Sequence, residues 1–277
     1  MALPHLGAGI GYRSRLAPQI LDNLAALDFL EVVSEQFLWA NELIRRHLVE
    51  LAQKVPIVLH GVEMSLGSGE DVDNTYLNRL GQLAHDTNAA WVSDHICFTR
   101  SGEIDVGHLT PVQRTPEMID RIARRVRDVS SALGRPFLLE NITYYFDVGS
   151  SLSEADFIVE LLDRSGAYLL LDVTNAYINA HTHGYDVIKF IDTLPAERVV
   201  QMHLAGFERE GSLIVDSHSQ PVQEEVWSLY EYAVARTSPQ AAMIERDQNF
   251  PDNFDELLGE VARLRAVLDR HTRVGQR

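Results

Sequence analysis

The chain has 277 residues, is 45% hydrophobic and 23% charged, and carries 24 Lys plus Arg against 40 Asp plus Glu, a net charge of −16. That apolar fraction excludes intrinsic disorder, and a surface so negative repels phosphate backbones and argues against a general nucleic-acid binder. A single cysteine, Cys97, excludes an internal disulfide framework and a thiolate-rich metal site, and no apolar run approaches a membrane span.

Short apolar runs rich in β-branched residues alternate with amphipathic segments of helical spacing. In chain order the strand Leu6–Ile10 precedes the helix Pro18–Leu27, and Phe29–Val33 precedes Asn41–Lys54. Ile57–His60 is followed by Asn74–Asn88, Trp91–His95 by Pro116–Leu133, and Phe137–Asn141 by Glu154–Ser165. Tyr168–Val173 leads to Val187–Leu194, Val199–Leu204 to Val222–Arg236, and Ala242–Glu245 to Phe254–Leu268. The strands are nearly continuous in apolar character, as parallel strands covered on both faces are. Pro116 and Ser153 are helix-start signals, and Gly134 and Gly166 stand where left-handed helix ends want them. Strict alternation implies right-handed crossovers, and eight such units in this length predict a closed (β/α)8 TIM-like barrel. One domain is expected over 1–277, with the barrel at about 6–268 and a frayed tail at 269–277. The opening MALPHLGAGIGYR lacks a signal-peptide shape, so a cytoplasmic location is expected.

In such barrels the active site forms at the C-terminal ends of the strands. Those ends carry His60, Asp94 and His95, Glu140 and Asn141, Asp172 and Asn175, His203, and Glu245. Two loops add His181 and His183 in NAHTHGYD, and Asp216 and His218 in IVDSHSQP. Any one of these is an ordinary strand-end polar group. Together they place acids and imidazoles at one end of one barrel without matching Lys or Arg, and metal ions supply the missing positive charge. Imidazole suits Zn, Fe and Cu, while carboxylate pulls toward Mn and Fe, and the set is large enough for two or three ions. Glu140, in the middle of the constellation, is the candidate bridging carboxylate, and Asp94 is a candidate hydrogen-bond partner of His95. Asp216 and His218 can reach one ion from an extended loop. Cys97 reads as a buried apolar filler. The run Gly7–Gly11 lacks a dinucleotide fingerprint and reads as close packing at the barrel mouth. Tyr144, Tyr145 and Phe146 fit either a pocket floor or the core.

The segments LHGVEMSLGS, VSDHICFT, RPFLLENITYY, LLLDVTNAYINAHTHG, VVQMHLAG, IVDSHSQPV and MIERDQNFP closely resemble the multinuclear non-heme iron-dependent oxidative enzymes, with GIGYRSRLAP and DFLEVVSEQF extending the match over about residues 7–260. That formerly uncharacterised family includes the methanobactin-biosynthesis oxidase. The resemblance implies a TIM-like barrel with two or three iron ions in mixed Fe2+/Fe3+ states, and dioxygen as co-substrate. Carried over residue by residue, the implied ligands are His60, His95, Glu140, Asn175, His203, Asp216, His218 and Glu245. Asp172 and His183 sit in matching motifs and join them, and Glu140, His95 and Asp172 take the catalytic part. The implied reaction modifies a cysteine of a ribosomally made precursor peptide. It does so by hydrogen abstraction from the β-carbon of an iron-held thiolate by a ferric-superoxo oxidant. The resemblance also implies a small partner protein that grips the peptide leader, with no nucleic-acid or membrane partner.

The chain departs from the family pattern at Gln36, Phe207, Arg246 and Gln248. These are expected to line the mouth, so the product and the substrate residue stay open. The ligand chemistry alone also admits a trinuclear zinc phosphodiesterase-like hydrolase or a divalent-metal sugar isomerase. The charge of −16 counts against DNA, and the strand ends offer Arg246 but no Lys to handle a sugar carbonyl.

Overall fold

The computed structural model describes residues 3–272. Its strands are β1 (Gly7–Tyr12), β2 (Phe29–Val33), β3 (Ile57–His60), β4 (Val92–His95), β5 (Cys97–Ser101), β6 (Ile104–Pro111), β7 (Phe137–Glu140), β8 (Tyr168–Asp172), β9 (Val199–Glu210), β10 (Leu213–Gln220) and β11 (Ala241–Glu245). Its α-helices are α1 (Ala17–Asp22), α2 (Glu35–Leu38), α3 (Glu42–Ala52), α4 (Asn74–Asp86), α5 (Pro116–Leu133), α6 (Glu154–Ser165), α7 (Val173–His183), α8 (Val187–Thr193), α9 (Glu224–Thr237) and α10 (Asp255–Thr272).

Eight parallel strands close into a ring in the order β1, β2, β3, β4, β7, β8, β9, β11 and back to β1, with helices between them. The chain is a (β/α)8 barrel, as its alternating pattern predicts. Local chemistry sets the ends of the long helices. Thr115 and Ser153 accept hydrogen bonds from the backbone N–H groups of Met118 and Asp156 and so start α5 and α6. Gly134 and Gly166, at φ 59° and 74°, end them in the left-handed region.

Four features depart from expectation. A hairpin, β5–β6, follows β4 directly. The segment IVDSHSQP is not a loop: all of it but Pro221 lies in β10, antiparallel to the extended end of β9. The residues after Asp172 form α7, because the Asp172 side chain accepts from the Asn175 N–H and caps it. At the C-terminus α10 runs on to Thr272, so residues 269–272 are helical rather than frayed; 273–277 lie outside the described residues. Among the described residues no helix is long and apolar enough to cross a membrane.

The barrel interior is layered by the two-residue period of the strands. Phe29, Val58, Leu138, Leu170 and Met243, with Trp91, Val200 and Ala241, form a buried plug separate from the larger core under the helices. Two residues beyond five of them, on the same face of each strand, stand Glu31, His60, Glu140, Asp172 and Glu245. Apolar residues thus make a floor and polar ones stand on it. Parallel register then aligns the upper layer, with His95 beside Glu140 and Asp172 beside His203.

Gly206 lets β10 fold back on β9. A Cβ there would collide with the backbone carbonyl of Gln220. Gly206→Ala is expected to cost about 1–3 kcal/mol from this overpacking, read as a lowered thermal midpoint by circular dichroism; an unchanged midpoint would show that β10 is not seated this tightly.

Candidate metal centre

Glu140, from the end of β7, stands at the centre of the upper layer. Its Oε2 lies 3.3 Å from His60 Nε2 and 3.2 Å from His95 Nε2, and its Oε1 lies 3.2 Å from His203 Nδ1. Glu245 Oε2 is 3.3 Å from the same His203 Nδ1 and 3.5 Å from His218 Nδ1. His218 Nδ1 is 3.3 Å from Asp247 Oδ2, and its Nε2 is 2.8 Å from Asp216 Oδ1. Ligand-type atoms therefore gather in three groups: His60, His95 and Glu140; Glu140, Asp172, His203 and Glu245; and His218, Glu245 and Asp247. Glu140 belongs to the first two and Glu245 to the last two.

The other nitrogen of each inner imidazole meets an acceptor. His60 Nδ1 is 2.8 Å from Ser93 Oγ, which itself donates to the Leu59 carbonyl. His95 Nδ1 is 3.2 Å from the Gly61 carbonyl, and His203 Nε2 is 3.0 Å from Glu31 Oε2. Such partners fix ring orientation and turn each inward nitrogen toward the shared carboxylates. Asp94 does not do this for His95: its two oxygens accept from the backbone N–H groups of His95 and Met64 and so hold the chain that carries the ring.

The electrostatics register a shortage of positive charge. Burial, then the nearby Glu140 charge, pushes the Asp172 carboxyl well above its usual range. Burial opposes ionisation of Glu140 too, yet His203, His95 and His60 hold it at about 2. Burial would strip His203 and His218 of their protons, but Glu31 and Glu140 around the first, and Asp216 and Glu245 around the second, raise both well above an ordinary histidine. His95 is instead lowered to about 4, chiefly by burial. Glu140 Oε2, Asp172 Oδ2, His203 Nδ1, Asp216 Oδ1 and His218 Nε2 are all buried without a hydrogen-bond partner. Nitrogen and oxygen atoms in contact, aimed at common points and without hydrogen-bond partners, form a donor set of the kind that suits shared metal ions. The residues fit a multinuclear centre.

Not every residue picked from sequence arrives there. His183 stacks on Tyr144 at 4.3 Å and its Nε2 meets the Tyr144 carbonyl at 2.9 Å; His181 meets the Ser212 carbonyl at 3.3 Å. Neither is in a ligand group, because both lie in the last turn of α7, where imidazoles face outward toward backbone carbonyls. Asn175 is buried near the rim, its Oδ1 accepting from Thr143 and its amide donating to the Asn141 carbonyl. Asp216 reaches His218 rather than one of the three groups. Arg246 turns away from the centre to Glu256 at 3.0 Å, since it follows inward-facing Glu245 in an extended chain. Phe207 is likewise not at the mouth but buried against Tyr177. Gln36 lines a cavity of about 770 Å³ between α1 and α3, and Gln248 is exposed. Tyr144 packs inside, while Tyr145 and Phe146 are exposed beside Asp216, whose N–H the Tyr145 hydroxyl accepts at 2.8 Å. Cys97 is buried and its thiol pushed up by burial, as a filler should be.

Three residues at the site escape the sequence reading. Glu31 backs His203 and Asp247 completes the outer group. Arg13 lies 3.0 Å from Glu245 Oε1, and its Nε donates to Asp247 Oδ1 at 2.7 Å, so one cation does accompany the acids. Gly11 makes room for that guanidinium, 2.9 Å from where its Cβ would be. A charged residue inside the apolar run FLEVV was the one legible signal among the three.

A family model described as "RiPP precursor modification enzyme MbnB/TglH/ChrH" matches residues 7–269. The "UPF0276 protein" of Rhizorhabdus wittichii is 38% identical over 267 residues, 96% of each chain. That of Caulobacter vibrioides is 39% identical over 271 residues, again 96% of each. Of solved structures, D-psicose 3-epimerase from Clostridium cellulolyticum superposes with a TM-score of 0.63 at 13% identity, covering 97% of this chain and 99% of that one. Endonuclease IV from Thermus thermophilus gives 0.60 at 15% identity, over 95% and 99%. At such identities the likeness shows the barrel alone.

Because Glu140 touches two groups, Glu140→Ala is expected to lower bound metal by more than one ion per chain in elemental mass spectrometry; a loss of one ion or none would remove its shared role. His183→Ala is expected to leave metal content unchanged. A second expectation concerns Glu154, which accepts from Tyr144 and Tyr185 hydroxyls at 3.1 and 3.0 Å and whose carboxyl burial pushes up to about 7. An unfolded glutamate titrates near ~4.3, so the folded chain holds the proton more tightly. The stability this contributes is full below the unfolded value and lost as pH rises through about 7. From about pH 5 to about pH 8 the wild-type melting temperature should therefore fall more than that of Glu154→Gln; parallel profiles would contradict it.

Proposed function

The chain belongs to the RiPP precursor modification family MbnB/TglH/ChrH, and on that premise we propose that it is a multinuclear iron- and dioxygen-dependent oxidase acting on a cysteine of a ribosomally made precursor peptide. The observation that carries the reading is the pair of shared carboxylates, Glu140 and Glu245, which tie three ligand groups into one centre. Bound there, two or three iron ions of mixed oxidation state would supply a docking point for the substrate thiolate and one-electron chemistry with dioxygen.

The chain's own residues do the rest. His60, His95 and Glu140 hold the inner end, Asp172 and His203 the middle, and His218 and Asp247, with Asp216 behind them, the outer end. Ser93, Gly61 and Glu31 stand against the outward nitrogens, so the inward ones would be turned toward the metal. Four carboxylates among the ligands suit a harder ion than a thiolate site would. The apolar plug seals the floor against water, so substrate enters only from the rim. There Tyr145, beside Asp216, and the next residue Phe146 offer exposed aromatic surface, 44% and 57% accessible. Cys97, buried at the start of β5, cannot stand in for the substrate thiol. A small partner protein gripping the peptide leader belongs to the same proposal, as does a cytoplasmic site of action.

The test is the metal content of protein purified without oxygen or added metal, followed by the mass of a cysteine-bearing precursor co-expressed with it. Two to three irons per chain with little zinc, and an iron-dependent mass change lost on Cys→Ser in the peptide, are expected. Stoichiometric zinc without iron, persisting after growth in iron-rich medium, would overturn the oxidase reading in favour of metal-assisted hydrolysis.

A further inference from the structure

A line of buried polar side chains runs from the plug up to the centre. Trp91 Nε1 lies 2.6 Å from Gln201 Oε1, Gln201 Nε2 lies 2.5 Å from Glu31 Oε2, and that oxygen is 3.0 Å from His203 Nε2. All four residues are buried, Glu31 at 1% accessibility and the others at 0%. Along this line each polar group meets a partner, so donors and acceptors can be assigned from one end to the other.

An indole nitrogen only donates. Gln201 must therefore turn its carbonyl oxygen to Trp91 and its amide nitrogen to Glu31. A carboxylate only accepts, so Glu31 Oε2 receives a proton-bearing nitrogen from Gln201 and another from His203. Gln201 Nε2 is also 3.0 Å from His203 Nε2, a contact in which the ring nitrogen accepts only if its proton stands on Nδ1; the Glu31 carboxylate, which has no proton to give, is the partner that decides the tautomer. We infer that Trp91, Gln201 and Glu31 are a positioning relay that sets His203 as its Nε2–H tautomer and so presents Nδ1 to the metal centre. His60 and His95 do the reverse and present Nε2. The choice matters because His203 Nδ1 lies within 3.3 Å of both shared carboxylates, Glu140 and Glu245. With the proton on the other nitrogen, an N–H would occupy the point where the middle group needs a lone pair. Trp91 thus acts on the centre from the barrel floor, through two intervening side chains.

The inference rests on the metal-centre part of the proposed function. Full-length protein labelled with 15N-histidine and loaded with zinc(II) alone, as a diamagnetic probe, reports both. In the wild type His203 should show a protonated Nε2 and a metal-shifted Nδ1. Glu31→Gln puts an amide that can donate or accept against His203, and should weaken zinc binding at the middle group by about 10–100-fold while the His60 and His95 signals keep their shifts. Trp91→Phe keeps an aromatic ring in the plug and removes the indole N–H, and should move the His203 resonances in the same direction by less. If Glu31→Gln fails to fold, Trp91→Phe carries the test by itself. A wild-type His203 protonated on Nδ1, or His203 shifts and zinc affinity unmoved in the variants, would overturn the relay and leave the metal centre standing. A wild type that takes up no zinc would overturn both.

Discussion

Everything above the barrel floor answers to one constraint: like charges buried in contact. Glu31, Glu140, Asp172 and Glu245 lie within one layer, buried with His60, His95 and His203. Each buried ion costs several kcal/mol after relaxation unless partners repay it. Imidazoles offset part, which is why Glu140 stays ionised and His203 and His218 cling to protons. Arg13 offsets another part at the rim. The remainder is a demand for cations that side chains in the layer do not meet, and this demand is what makes the layer a candidate metal site.

Backbone geometry makes that crowding reproducible. Parallel register sets His95 against Glu140 and Asp172 against His203, so ligands meet because strands pair, not because loops happen to close. The outermost group is different. His218 sits where the β9–β10 ladder loses register, and its backbone takes the left-handed region at φ 49°, unusual for a residue with a side chain. The bulge swings its ring toward Glu245 and Asp247, and backbone strain of this kind is characteristic of functional positions.

The barrel was legible because eight short apolar runs, most with β-branched residues, stand out, and because helix starts and stops at Pro116, Ser153, Gly134 and Gly166 speak locally. Most strand-end members of the three candidate groups were legible for the same reason: once a strand is placed, its last inward residue is known. The failures have physical causes. Helix α7 is buried nearly all round, from Val173 to Ala180, so no amphipathic stripe marked it, and nothing in the sequence showed that its two histidines face backbone carbonyls. The bulge in β10 breaks the two-residue alternation that would have marked a strand. Arg13, Glu31 and Asp247 owe their places to contacts across more than 170 residues of chain, as in the pairings of Glu31 with His203 and Arg13 with Asp247. A periodicity argument has no access to such pairs.

Strand β10 lies outside the closed ring, joined to it through β9, the buried Ile214 and the Tyr145 hydroxyl. Detaching it removes no strand from the barrel. The inner ligands therefore share the fate of the whole fold, opening only when the ring opens, while His218 and Asp216 belong to a smaller cooperative unit with its own, lower opening free energy. Amide exchange along β10 should run ahead of that in β3, β4 and β7. The chain thus keeps a durable interior and a serviceable doorway, and in such a molecule the doorway can be remodelled by mutation at little cost to the ring that supports it.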